Sequence, residues 1–305
     1  MAFFELDSFQ KKKRQVDEAL ERLLKKMEEK TELKKAVSYV FSNGGKRIRP
    51  ILVLMLQEAL HCPYSLIDAA LSIELFHTAS LIADDLPMMD NDSYRRDKEA
   101  LHVVFGETTA LLVSYGLIAL AFEKIHDCAE AIIAYDPTLS TFAGQACLKA
   151  LRAASFAAGL KGATLGQYYD LFPKEGCSIK KLIYLKTVTL FEVAFLYGWI
   201  FGGGDPQKVE SIKKLAFHFG LAYQIADDLH DYLEDLEKGK IGNYAITFGQ
   251  ESAQKAFEFH LSGLKRGLVE LKLQTEEMKA LVDFLENYGK KKPLVCSQAA
   301  ALFLP

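Results

Sequence analysis

Apolar side chains recur along most of this chain at intervals of three and four residues. Val16, Leu20, Leu23, Leu24 and Met27 form one such stripe, the spacing that gathers side chains on one face of an α-helix. No pair of short alternating runs is joined by Asn-Gly or Asp-Gly as a β-hairpin would be. Helix ends are legible as well. Asp205-Pro206 supplies an N-cap followed by proline at the first helical position, and Ser178 follows Gly176 in the same role. Gly202-Gly203-Gly204 stops the helix that runs through Phe191 to Ile200. The pattern predicts helices over 7–30, 32–43, 46–60, 65–86, 105–132, 138–160, 178–201, 206–235, 248–271 and 274–288, with no strands. No Pro-, Gly- or Ser-rich linker and no internal repeat divides the chain. The expectation is therefore an all-α fold in one domain spanning residues 1–305. The stretch 105–126 is apolar on more than one face, so it belongs in the centre of the bundle or at a subunit interface.

Composition narrows the partners. Of 305 residues, 50% are hydrophobic and 25% charged, with a net charge of −3. That balance lacks the basic excess of a nucleic-acid binder. The five cysteines include no CxxC pair, which suggests reduced thiols. The N-terminus carries its charges after a very short apolar stretch, unlike a secretory signal. The longest uncharged run, Thr108 to Phe122, is shorter than the ~18 apolar residues of a membrane span. A cytoplasmic protein without a membrane span is expected.

The candidate chemistry lies in a repeated pentapeptide. Ile82-Ala83-Asp84-Asp85-Leu86 recurs as Ile225-Ala226-Asp227-Asp228-Leu229, each at the end of an apolar helical stretch and each followed by a further acid, Asp90 or Asp231. Asp227 and Asp231 share a helix face, where like charges cost ~0.2–0.5 kcal/mol unless a cation sits between them. Asp84 and Asp90 are six apart, but Pro87 ends the helix between them and lets Asp90 swing back. Opposed carboxylates suit magnesium, a hard ion that shares its oxygen ligands with substrate phosphates, and neither cluster has the loop pattern of an EF-hand. Basic groups accompany them. Gly44-Gly45-Lys46-Arg47-Ile48-Arg49-Pro50 sets three cations after a glycine pair, and Arg95-Arg96 follow the first acidic cluster. Cations of this kind bind phosphate groups, whereas the Walker pattern of an ATPase is absent. His77, two helical turns before Asp84, projects to the same side, and spacing alone leaves a ligand role and a structural role open.

With these residues in hand, the chain resembles the trans-isoprenyl diphosphate synthases from Gly44 to about Tyr288. The matching stretches are GGKRIRP (44–50), DDLPMMDND (84–92) with Arg95-Arg96, GQYYDL (166–171), Lys186-Thr187 and GLAYQIADDLHDY (220–232). The resemblance implies a single helical bundle around a central cavity. It implies that Asp84, Asp85, Asp90, Asp227 and Asp231 hold Mg2+ ions bridging to an allylic diphosphate. Lys46, Arg49, His77 and Arg96 look like the isopentenyl diphosphate site. Arg95, Lys186, Thr187 and Gln224 match positions that contact the allylic substrate, and Lys240 resembles a later lysine with the same task. The implied reaction is ionisation of the allylic diphosphate, attack by the isopentenyl double bond and loss of a proton. A homodimer is implied too. The chain departs from the family pattern at Asp97-Lys98-Glu99-Ala100, where Gly-Lys-Pro-Thr is usual, and at Ala83, Ser114-Tyr115 and Val188.

Two other readings compete. A non-catalytic subunit modifying a partner synthase has no need of paired, mutually repelling carboxylates, and a class I terpene cyclase has no need of GGKRIRP. Product length rests on Ala79 and Ser80, one turn deeper than Asp84. Small residues there resemble geranylgeranyl diphosphate synthases, with farnesyl diphosphate as the second candidate product if Phe76 or Tyr115 closes the tunnel. The uncharged segment 293–305 is expected to be a terminal segment on the domain, or alternatively a contact with anionic membrane.

Overall fold

The computed structural model describes residues 5–27, 30–173, 176–239 and 242–290. Lys240 and the segment 293–305 lie outside the described residues. In chain order the helices are α1 (Asp7–Lys26), α2 (Glu32–Ser42), α3 (Ile48–Ala59), α4 (Ile67–Asp84), α5 (Leu101–Phe105), α6 (Glu107–Tyr135), α7 (Ser140–Ala158), α8 (Ala163–Leu171) and α9 (Ile179–Ile183). A π-helical turn (Tyr184–Val188) joins α9 to α10 (Thr189–Phe201). Then follow α11 (Val209–His230), α12 (Tyr232–Glu237), α13 (Tyr244–Phe248), α14 (Gln250–Glu270) and α15 (Glu276–Gly289).

The expected all-α architecture is present. The departures from the pattern have local causes. Gly106, at φ 82°, separates a short unexpected α5 from α6, so the helix expected over 105–132 runs from Glu107 to Tyr135. Asp205 caps as expected, accepting from the Gln207 amide at 2.9 Å, but it starts a 3₁₀ turn before α11. Helices α8 and α13 were hidden in stretches too short to show periodicity. Among the described residues the only β structure is a hairpin, β1 (Tyr94–Arg95) against β2 (Lys98–Glu99). Its turn residues Arg96 and Asp97 sit at φ 56° and 63°, a geometry usually carried by Asn-Gly, so sequence gave no cue.

Helix α10 is the central pole. It is buried on nearly every side, as a helix apolar all round must be, and packs against α3, α4, α7 and α11. One continuous apolar cluster extends from Phe9 on α1 to Leu285 on α15. Helix α6 buries a single stripe, including Ala110, Val113, Leu117, Ala121 and Ile125, against α4. Its other face leaves Leu112 and Tyr115 at 52% and 61% exposure. Two segments, Glu107–Tyr135 and Ile179–Phe201, are long and apolar enough to cross a membrane by length and composition, longer than the uncharged run at 108–122 suggested. The second is 72% buried inside the helical body, which accounts for its apolarity without a bilayer.

Candidate active site

Helix α4 ends at Asp84, and the chain then turns back on itself. The Asp90 amide donates to the Asp84 carbonyl at 2.9 Å, so the return that Pro87 was expected to allow is made. Asp84 faces a cavity, and burial pushes its carboxyl up to about 7. The neighbouring Asp85 points elsewhere. It is 4% exposed and accepts from the Arg95 guanidinium, with Nε at 2.9 and 3.2 Å from its two oxygens. Asp85 and Arg95, expected on metal and allylic substrate respectively, are ion-paired with each other beside the cavity. Successive residues of a helix lie ~100° apart, so the two adjacent aspartates point in different directions.

The second copy also sends its two carboxylates different ways, though there Asp228 is the one among the residues lining the acidic cavity. Asp227 stands one turn before the C-terminus of α11, where burial lifts its carboxyl to about 6, and Asp231 is the exposed C-cap whose amide donates to the Asp227 carbonyl. Asp228 turns inward. Its carboxylate accepts from the Tyr244 amide at 2.7 Å and from Gln224 Nε2 at 2.9 Å, which ties α13 to α11.

Lys186 and Thr187 ride on the π-helical turn, a widened turn that often marks functional sites. Helix α8 packs directly on it. A Cβ on Gly166 would lie 2.7 Å from the Lys186 amide nitrogen, so only glycine allows that approach. Lys186 Nζ donates to Asp170. Burial pulls its ammonium down, but Asp170 and Asp84 more than offset this, so the pKa is raised and the charge is kept. Thr187 Oγ1 donates to Gln224 Oε1 at 2.9 Å, and Gln224 donates onward to Asp228. Lys186, Thr187, Gln224 and Asp90 share a cavity of about 510 Å³ that also holds Asp92, Asp170, Asp228 and Asp235. Five aspartates against one lysine make an acidic vestibule.

A second cavity, of about 560 Å³, meets the vestibule at Lys186. Its mouth carries Asp84 and Lys186, and its walls are apolar, with Ala79, Ile118, Leu171 and Leu190 along its length and Phe76 deepest along α4. Ser114 lines it while donating to the Ala79 carbonyl at 3.0 Å. Tyr115 does not line it and points to solvent.

The basic groups gather on the opposite flank. Arg96 Nη1 donates to the Gly44 carbonyl at 2.5 Å, bringing the hairpin onto the 44–46 turn. A Cβ on Gly45, at φ 137°, would meet the Arg96 guanidinium at 2.4 Å. Arg49 lies flat over Phe191, 4.3 Å from the ring centroid, with Nη1 3.2 Å from His77 Nε2. Its Nε is buried without a partner. Burial and the charges of Arg49 and Arg96 depress His77 well below its usual range, so it is neutral. Arg47, the third cation of the motif, is buried and consumed by structure. It donates to Glu74 at 2.6 Å and Asp17 at 3.0 Å, fixing the turn that presents Lys46.

The structure therefore brings Asp84, Asp90, Lys186, Thr187 and Gln224 together around two cavities that Asp227 and Asp231 do not line, and it sets Arg96 against Gly44, Arg49 against His77, and Lys46 over Tyr288 near Asp227. Residues that sequence reasoning had missed are Asp170, Gln167 (Nε2 to Asp90 Oδ1, 3.2 Å) and Tyr288 (Oη to Asp227 Oδ1, 2.7 Å). The first two were available as Gln and Asp three apart within GQYYDL, one helix face. Among the described residues no three acidic, imidazole or thiol groups are placed so that they alone could hold a metal ion. The donor chemistry nevertheless fits magnesium, because the vestibule gathers five carboxylates against a single lysine. Ions held by one or two carboxylates at a time complete their shell with substrate oxygens.

The polyprenyl synthetase family profile matches residues 11–250. A farnesyl diphosphate synthase of Geobacillus stearothermophilus is 34% identical over 287 residues, covering 88% of this chain and 93% of that one. A putative chloroplastic geranylgeranyl pyrophosphate synthase of Arabidopsis thaliana is 33% identical over 295 residues, covering 93% and 77%. Among solved structures, an FPP/GFPP synthase from Zymomonas mobilis in its apo form superposes with a TM-score of 0.76 at 29% identity, over 90% of this chain and 98% of that chain. The geometry and these likenesses agree: the chain belongs to the polyprenyl synthetase family of prenyltransferases.

Proposed function

We propose that the protein condenses isopentenyl diphosphate with dimethylallyl, geranyl and farnesyl diphosphates to give geranylgeranyl diphosphate, with farnesyl diphosphate as the second candidate product. The observation that carries this reading is an apolar cavity whose polar mouth, Asp84 and Lys186, meets an acidic vestibule. Such a shape takes a hydrocarbon chain inward and leaves its diphosphate among charges. A terpene cyclase needs no second anion site, yet Lys46, Arg49 and Arg96 form one. A non-catalytic subunit gains nothing from the cost of buried carboxylates at Asp84 and Asp227.

Asp84, Asp90, Asp227 and Asp231 are the residues that would hold magnesium. Bound there, it neutralises the allylic diphosphate and eases its departure. Lys186, kept charged by Asp170, adds a donor to the leaving oxygens, where developing charge is greatest. Gln224, locked between Thr187 and Asp228, holds the wall of the vestibule in one orientation. The apolar cavity excludes water that would trap the allylic cation. Asp85 and Arg95 act one step back, anchoring the turn that carries Asp90. Incubation with isopentenyl diphosphate, geranyl diphosphate and magnesium, with products separated by chain length, tests the proposal. Absence of any elongated product would sink it.

The cationic flank makes a separate expectation. Arg49 is fixed over Phe191 with its Nε unsatisfied, so an incoming diphosphate finds a donor already positioned. Replacing Arg49 or Lys46 by alanine should raise KM for isopentenyl diphosphate about 10-fold or more, the cost of one charge-assisted contact, and change KM for the allylic substrate little. An effect confined to the allylic substrate would reverse the assignment of the two sites.

We also propose a homodimer through the outer face of α6 and α7. Leu112, Tyr115 and Leu148 there are more than half exposed, and an apolar face of this kind is usually covered. Sedimentation at micromolar concentration should give twice the mass of 34.1 kDa. A monomer would contradict the interface.

A further inference from the structure

Tyr288 stands where the two halves of the site meet, in the last turn of α15. Its hydroxyl donates to Asp227 Oδ1 at 2.7 Å. Its ring carries a different contact, since the Lys46 ammonium lies 5.7 Å from the ring centroid, within cation–π range. The ring itself is clamped. Phe284, one helical turn earlier, stacks on it at 5.6 Å and 14°, and the His230 ring lies at 5.4 Å. The phenol cannot swing away without breaking those contacts.

We propose that Tyr288 is a positioning residue with two separable duties. Its hydroxyl aims the Asp227 carboxylate at the metal, and its ring face seats Lys46 for the homoallylic diphosphate. The inference rests on the function proposed above and assigns a residue that neither aspartate motif nor GGKRIRP contains.

The first duty follows from the hydrogen bond. A carboxylate on a helix end has free torsions, and a lone metal contact leaves it to wander among them. With Oδ1 accepting from the phenol, the carboxylate plane is held and Oδ2 is left open toward an ion. Partners that orient ligands in this way typically carry 10–100-fold in metal affinity. The second duty follows from the ring. Lys46 sits on a glycine-initiated turn with a long flexible stem, and an aromatic face restricts where its ammonium rests. The phenol therefore touches both Asp227 and Lys46 as one rigid body. Removing the hydroxyl and removing the ring should have different consequences, which a merely structural tyrosine would not produce.

The test compares wild type, Tyr288→Phe and Tyr288→Leu. Magnesium binding is measured by calorimetry in the presence of a non-ionising thiolo analogue of geranyl diphosphate, and KM for isopentenyl diphosphate by steady-state kinetics at saturating magnesium. Tyr288→Phe keeps the ring, so it should weaken magnesium binding about 10-fold while leaving KM for isopentenyl diphosphate within about twofold. Tyr288→Leu should weaken magnesium binding similarly and also raise that KM several-fold. Magnesium binding in Tyr288→Phe equal to or tighter than wild type overturns the first duty. Equal KM values in the two variants overturn the second. A wild-type enzyme that elongates nothing at saturating magnesium would instead remove the underlying function, an outcome read from the same kinetics and distinct from both.

Discussion

Alanine in place of Asp84 or Asp227 should lower turnover by at least about 10²–10³-fold and leave the helical circular dichroism unchanged. The second half of that expectation is the more informative. Both carboxyls are pushed up by burial, to about 7 and about 6, which means that their charged forms are held in the fold at a cost. Removing Asp84 relieves that cost, so its stability should hold or rise while activity collapses; in Asp227→Ala the relief is offset by the Tyr288 hydroxyl left without its acceptor. Their sequence neighbours behave in the opposite way. Asp85→Ala leaves the Arg95 guanidinium without its main partner, and Asp228→Ala leaves the Tyr244 amide and Gln224 unpaired in a buried place. An orphaned buried group costs ~1–3 kcal/mol, so these two variants should melt earlier. Thermal melts and magnesium-dependent turnover on the four variants separate the classes. Wild-type-like turnover in Asp84→Ala or Asp227→Ala would remove the metal assignment.

That contrast also measures what the sequence could say. The two pentapeptides are identical, and their shared function was visible in the repetition. Which member of each pair lines a cavity was not visible, since it is the first, Asp84, in one copy and the second, Asp228, in the other. Other parts depend on long-range packing. Nothing near Tyr288 in the chain points to Asp227, which is 61 positions away. The Arg95–Asp85 pair depends on a hairpin of two-residue strands, shorter than any alternation can register. Arg47 looks like a third ligand in GGKRIRP, and only the buried Glu74 beneath it shows that its charge is already used. Helix positions, by contrast, were recovered almost throughout, because long amphipathic or wholly apolar segments carry their own period.

The remaining large effect is on product length. Ala79 is 1% exposed and lines the apolar cavity, five residues before Asp84, so it sits about 7.5 Å below the mouth along α4. Phe76, eight residues before Asp84, lies about 12 Å down and meets Phe122 of α6 edge-to-face at 5.0 Å. The growing chain therefore passes Ala79 before it reaches the aromatic pair. Phenylalanine at Ala79 fills the cavity at the upper level, and the main product should shorten by one or more isoprene units. Alanine at Phe76 removes the lower barrier, and longer products should appear. Tyr115 was a candidate for closing the tunnel, but its side chain is 61% exposed, so Tyr115→Ala should leave the length distribution unchanged in the isolated subunit's cavity. Chromatography of products from the three variants under one substrate ratio reads all three levels at once. If Ala79→Phe gives the wild-type distribution, the chain does not descend beside α4, and the cavity between Asp84 and Phe76 is not the tunnel.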